Sequence, residues 1–141
     1  MGKEAKRTIL LAEADVIVRL AIGDFLRACG HRVLEAASAE EAKAILQAGV
    51  EIQAVISDAE LAGGESGFAL AHWVRRYRPQ IAVTLASTVS AKTQAANELC
   101  SQPPCDVAVL ASRIRALTAE RKRRARPISS PVTARQRRRR S

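Results

Sequence analysis

The sequence predicts a three-layer α/β sandwich built on a parallel sheet. Three observations carry that prediction. Short β-branched apolar runs alternate with stretches of helical length, Gly, Pro and Ser turns separate them, and two of the runs end in carboxylates. Strands alternating with helices of this length require right-handed crossovers, which place helices on both faces of a parallel sheet. A chain of 141 residues with 48% hydrophobic content holds one such domain and its ends. We assign an N-terminal extension to 1–7, the domain to 8–120 and a basic, disordered tail to 121–141.

The elements follow in order. Thr8-Ile9-Leu10-Leu11-Ala12 is a continuous apolar run, suited to a strand covered on both faces, and it ends in Glu13-Ala14-Asp15. Ile17, Val18, Leu20, Ala21, Phe25 and Leu26 have the spacing of a helix face over 16–29, and Gly30 can take the left-handed conformation that ends it. Arg32-Val33-Leu34-Glu35-Ala36 reads as a second strand. Ser38 with Glu41 fits a capping box that opens a helix through 47. Ala54-Val55-Ile56-Ser57 is a third, buried strand that delivers Asp58 to its carboxyl end.

The turn Gly63-Gly64 then leads to Ser66, an N-cap, and to a helix over 67–77 with Phe68, Leu70, Ala71 and Val74 as its core face. His72 and Trp73 lie on it without partners that would give them a role. Pro79 breaks that helix. Residues 81–86 form the fourth strand, ending in Ser87-Thr88, and 90–97 form a polar, alanine-rich helix of the kind that frays. Residues 98–101 are placed as a fifth strand mainly by their position. Asp106 caps a last helix with Val107, Val109, Leu110, Ile114 and Leu117 along one side.

The formal charge of +9 is not spread over the chain. Ten of the 23 Lys and Arg fall in 121–141, which has no acid, leaving 13 basic against 14 acidic residues in the remainder. The body is near neutral and the basicity belongs to the tail. Cys29, Cys100 and Cys105 have no metal-ligand spacing, so they are expected as reduced thiols in a cytoplasmic protein. No apolar stretch is long enough to cross a bilayer, and the start lacks an export signal.

Asp58 at a strand's carboxyl end is the centre of the functional reading, because that edge of an open α/β sheet is where ligands bind. Taken together, Thr8 to Asp15 with Arg19, Val55-Ile56-Ser57-Asp58 with Leu61 and Gly63-Gly64 before Gly67-Phe68, Ile81-Ala82-Val83, and Ala95-Ala96 before Gln102-Pro103 resemble the receiver domain of two-component response regulators. The resemblance covers about residues 8–117. It implies a flavodoxin-like (βα)5 sandwich with strand order 2-1-3-4-5. It also implies that Asp58 is at the phosphoacceptor position, with a divalent cation needed to bring anions together.

Measured against that family, the pocket is degenerate. Glu13 keeps the first acid, but the second falls on Ala14, with Asp15 one step further. The hydroxyl position falls on Ala86, beside Ser87, the lysine position on Gln102, and the aromatic reporter position on Leu99. Glu13 and Asp58, with Asp15 and the Glu60 backbone carbonyl as further candidates, would make only a weakened Mg²⁺ site.

Two readings follow from the resemblance. In one, a histidine kinase or phosphotransfer protein phosphorylates Asp58 in a single-domain response-regulator-like protein, which signals to a downstream protein. In the other, the domain is a pseudo-receiver that binds its partner through the helix-1 or helix-4 face without phosphorylation. A third reading has the Arg-rich tail bind nucleic acid or an anionic surface, although a solvated end without a partner is favoured over it. Enzymatic turnover is not expected, since there is no glycine-rich phosphate loop after the first strand and no activated nucleophile.

Overall fold

The computed structural model describes residues 7–101 and 106–125. Four strands, β1 (Thr8–Ala12), β2 (Arg32–Ala36), β3 (Ala54–Asp58) and β4 (Ala82–Ala86), pair in parallel in the order β2-β1-β3-β4. Between and after them run α1 (Val16–Ala28), α2 (Ala39–Gln47), α3 (Gly67–Tyr77), α4 (Val89–Glu98) and α5 (Val107–Ala125). The strand order places β1 and β3, the two most buried strands, at the centre, where both of their faces are covered.

Two cores lie on opposite faces of that sheet. Ile9, Leu11 and Ile56 point toward α1, α4 and α5, where they meet Ile22, Leu26, Leu110 and Ile114. Leu10, Ala12 and Val55 point the other way, toward Leu46 on α2 and Leu70 and Val74 on α3. The alternation along β1 is the period-2 pleat of a strand buried on both sides. Caps fix where the helices begin. Ser38, Ser66 and Thr88 each accept a hydrogen bond from a backbone N–H three residues on, which gives an acceptor to an unpaired donor of the first turn.

Several sequence expectations change here. Residues 98–101 are not a strand: Glu98 ends α4, Leu99 caps it, and the Cys100 N–H donates to the Asn97 carbonyl in a closing turn. Glu-Leu-Cys-Ser has no β-branched residue to favour extended backbone, so the helix continues through its start. Phe68, Leu20, Val109 and Leu117 have the spacing of core faces, yet they are exposed, Phe68 by 62%. Each lies on the edge of its apolar stripe, and spacing alone cannot tell the centre of a stripe from its margin.

Helix α5 runs on to Ala125, taking Arg121 to Arg124 with it. Cys29 and Cys100, expected as thiols, form a disulfide with Cα atoms 5.7 Å apart across a sequence separation of 71. The fold sets the C-cap of α1 against the end of α4, a proximity that no spacing rule along the chain can reveal. With that pair cross-linked, free cysteines no longer argue for a reducing compartment. Cys105 and Gln102 lie outside the described residues, as does the chain beyond 125. Among the described residues no helix is long and apolar enough to cross a membrane.

Candidate functional site

The site is built by register. Ala12 of β1 pairs with Ser57 of β3, so the residues that follow, Glu13 and Asp58, leave the sheet side by side at its carboxyl edge. Asp58 in turn pairs with Ala86 of β4, which brings the start of α4 to the same rim. Thr88 caps α4, its carbonyl accepts from the Lys92 N–H, and Lys92 is thereby fixed one turn into the helix. Long side chains on a helix lean back toward its N-terminus, and here that direction leads to the rim.

The Lys92 ammonium lies between the two acids, its Nζ 2.7 Å from Glu13 Oε1 and 2.7 Å from Asp58 Oδ2. All three side chains are largely withdrawn from water, with exposures of 8% for Lys92, 3% for Glu13 and 15% for Asp58. The remaining oxygens are also engaged. Asp58 Oδ1 accepts from the Glu60 N–H at 2.9 Å, and Glu13 Oε2 accepts from the Asp15 N–H at 3.0 Å. Burial pulls the Lys92 ammonium down, but its bonds to Asp58 and Glu13 outweigh this and hold its pKa above the ordinary lysine value. Burial pushes Glu13 above the usual carboxylate range despite Lys92 beside it.

Asp15 is committed to different work. Its carboxylate accepts from the Ile17 and Val18 N–H groups and so caps α1, and Arg121 of α5 grips it through two nitrogens at 2.9 and 2.6 Å. The Arg121 guanidinium, ahead of the cap amides, holds the Asp15 carboxyl down to about 2.

Backbone packing fixes the loop that follows Asp58. A Cβ on Gly67 would stand 1.8 Å from the Asp58 carbonyl oxygen, and the Gly67 N–H donates to the Ala59 carbonyl at 2.8 Å. The first residue of α3 thus lies directly against the acceptor strand, where only glycine fits. Ser57, fully buried, donates its hydroxyl to the Asp58 carbonyl at 2.8 Å.

The sequence-derived site residues therefore separate into groups. Glu13 and Asp58 meet as expected, joined through Lys92. Asp15 lies beside them but faces α1 and Arg121. Ala86 is buried at the register position of Asp58, and Ala14 is exposed. Glu60 meets Asp58 through its amide. Lys92 and Arg121 were missed. The signal for Lys92 was present: Lys92, Ala95 and Ala96 recur at helical spacing, and all three are buried, so the one base of α4 lies on its inward stripe.

Magnesium demands near-octahedral oxygen ligands. At this rim an ammonium already stands between the two acids, and Asp15 is occupied by a helix cap and a guanidinium. The ammonium thus takes the place between the acids that an ion would need, and among the described residues no three His, Cys, Asp or Glu side chains group as a metal site.

Solved structures resemble this architecture. A response regulator receiver protein from Pseudomonas putida is 20% identical with a TM-score of 0.56, over 81% of this chain and 99% of that one. The fold is that of a response-regulator receiver domain. A receiver domain protein from Clostridium thermocellum is 21% identical with a TM-score of 0.56, covering 82% of this chain and 97% of its own. A putative response regulator from Chloroflexus aurantiacus J-10-fl, 25% identical, gives 0.55 over 82% and 99%. Neither a family model nor a curated protein matches the sequence. Within the receiver fold, Asp58 stands at the end of β3 and Glu13 at the end of β1.

Proposed function

We propose that the domain is a pseudo-receiver, a binding module for a signalling partner whose acceptor pocket is neutralised by its own lysine and which acts without phosphorylation of Asp58. The single observation that carries this reading is the Lys92 ammonium, 2.7 Å from both Glu13 and Asp58. Phosphoryl transfer onto a carboxylate needs a free attacking oxygen and a cation that can bridge it to the incoming phosphoryl group. Here Asp58 Oδ2 carries the ammonium and Oδ1 carries the Glu60 amide. A lysine in this place balances charge but offers no open coordination position.

The output would be contact with a protein partner, a histidine kinase or a downstream target. The groove between α1 and α5 supports a docking role for the helix-1 face. Ile17, Leu20, Phe25, Leu110 and Leu117 line it, with a volume of about 450 Å³. Two charged residues, Asp24 of α1 and Arg113 of α5, also line this groove.

Beryllofluoride, a phosphoryl mimic, tests the reading. With millimolar Mg²⁺ the full chain is expected to show no Asp58-dependent binding by ¹⁹F NMR. Tight binding that is lost in Asp58→Asn would restore the phosphorelay reading in its place.

A further inference from the structure

We propose that Cys29 and Cys100 form an exchangeable thiol–disulfide site, and that its oxidation state governs how firmly α4 holds Lys92 against Glu13 and Asp58. The proposal rests on the assignment of Lys92 as the cation of the acceptor pocket.

Helix α4 packs against α5, α1 and the sheet mostly through small side chains, with Val89 and Leu99 half-buried at its ends and Ser90 accepting from Arg115 of α5. Its buried residues are Lys92, Thr93, Ala95 and Ala96, so no large apolar side chain of the helix is fully buried in the core. Thr93 spends its hydroxyl on the Ser90 carbonyl within the helix. At the C-terminal end the helix is joined to α1 by the Cys29–Cys100 bond and by a 2.6 Å contact between His31 Nε2 and the Leu99 carbonyl. At the N-terminal end the principal side-chain tie to the sheet rim is Lys92 itself. A helix with so little apolar anchorage opens easily unless its ends are pinned.

The two sulfurs are unequally placed. Cys29 is half-buried at the α1 C-cap, whereas Cys100 is 8% exposed. A dithiol reductant would therefore attack Cys29 Sγ, breaking the S–S bond, forming a mixed disulfide with Cys29 and releasing Cys100 as a thiolate. The second thiol of the reductant then displaces Cys29. Two electrons pass to the protein, both cysteines end as thiols, and the reductant leaves as its own cyclic disulfide. Exchangeable disulfides of this kind are the ones that operate as sensors in thiol-rich compartments.

The test uses the full chain, oxidised or treated with dithiothreitol, with the state confirmed by alkylation and intact mass. Two readouts follow α4: acylation of Lys92 by acetic anhydride, read by peptide mass, and hydrogen exchange of the α4 amides. Reduction is expected to speed Lys92 acylation at least fivefold and α4 exchange about tenfold, with β1 and β3 unchanged. The double variant Cys29→Ser/Cys100→Ser should match the reduced wild type whether or not reductant is present. If that variant does not fold, a dithiothreitol titration of the wild type decides alone. Equal Lys92 reactivity in the two states, or three free thiols in the oxidised sample, would overturn the proposal. Beryllofluoride binding by the oxidised chain would sink the pseudo-receiver reading and leave this one standing.

Discussion

Two acid–base contacts close the carboxyl edge of the sheet, and they differ in almost every physical respect. Glu13, Lys92 and Asp58 form a buried triad contributed by β1, α4 and β3, while Asp15 and Arg121 form a bidentate pair with exposures of 29% and 38%. In the triad, one cation serves two anions and the surroundings exclude water, so the loss of the lysine strands two buried carboxylates. In the pair, water competes for both partners, and the geometry matters more as a clasp between α1 and α5 than as a source of stability. Burial, more than distance, decides what an ion pair does, because the separations in the two sites are nearly equal.

The contrast can be broken most directly at Lys92. Lys92→Met keeps the bulk and removes the charge, leaving Glu13 and Asp58 without their cation, and is expected to lower stability by about 3–5 kcal/mol in urea unfolding. A loss below about 1 kcal/mol would mean the triad is no stronger than a surface pair. Gly67→Ala comes next. The added methyl must push α3 away from the Asp58 carbonyl, a distortion expected to cost about 1–3 kcal/mol and to be read in the same titration.

Asp15→Ala removes the α1 cap and should cost about 1 kcal/mol, well short of the Lys92 change. The smallest effect is a pH dependence. With its carboxyl held at about 2 against an ordinary 3.8, Asp15 contributes stability that is present above pH 3.8 and is lost as pH falls toward 2. Arg121→Gln should flatten that acid limb in thermal unfolding by lowering stability slightly above pH 4 while leaving it unchanged near pH 2, where Asp15 is protonated in both chains. An equally steep limb in the variant would detach Arg121 from Asp15.

The strand runs of β1, β2 and β3, and the caps Ser38 and Ser66, were legible in the sequence because each is a local signal: an apolar run of strand length, or a hydroxyl ahead of a helical stripe. Glu13 and Asp58 were legible for the same reason, as carboxylates at the ends of such runs. What stayed hidden depends on distant parts of the chain. The pairing of Cys29 with Cys100 spans 71 residues, and that of Asp15 with Arg121 spans 106. The fifth strand at 98–101 was inferred from the alternation and not from its own residues, and it is the inferred strand that the structure does not contain. Lys92 gives no such local signal, because α4 is polar and lacks large apolar groups. Its inward stripe is small residues and one base, a pattern that becomes meaningful only when two acids are known to face it.

Lys92 also gives this edge a property that a bound ion would not. Because the positive charge is part of the polypeptide, its local concentration is fixed by the fold, and neither dialysis nor a chelator such as EDTA can remove it. The charge balance around Asp58 is thus independent of the divalent ions in the surrounding solution, and it changes only when the backbone that carries the lysine moves.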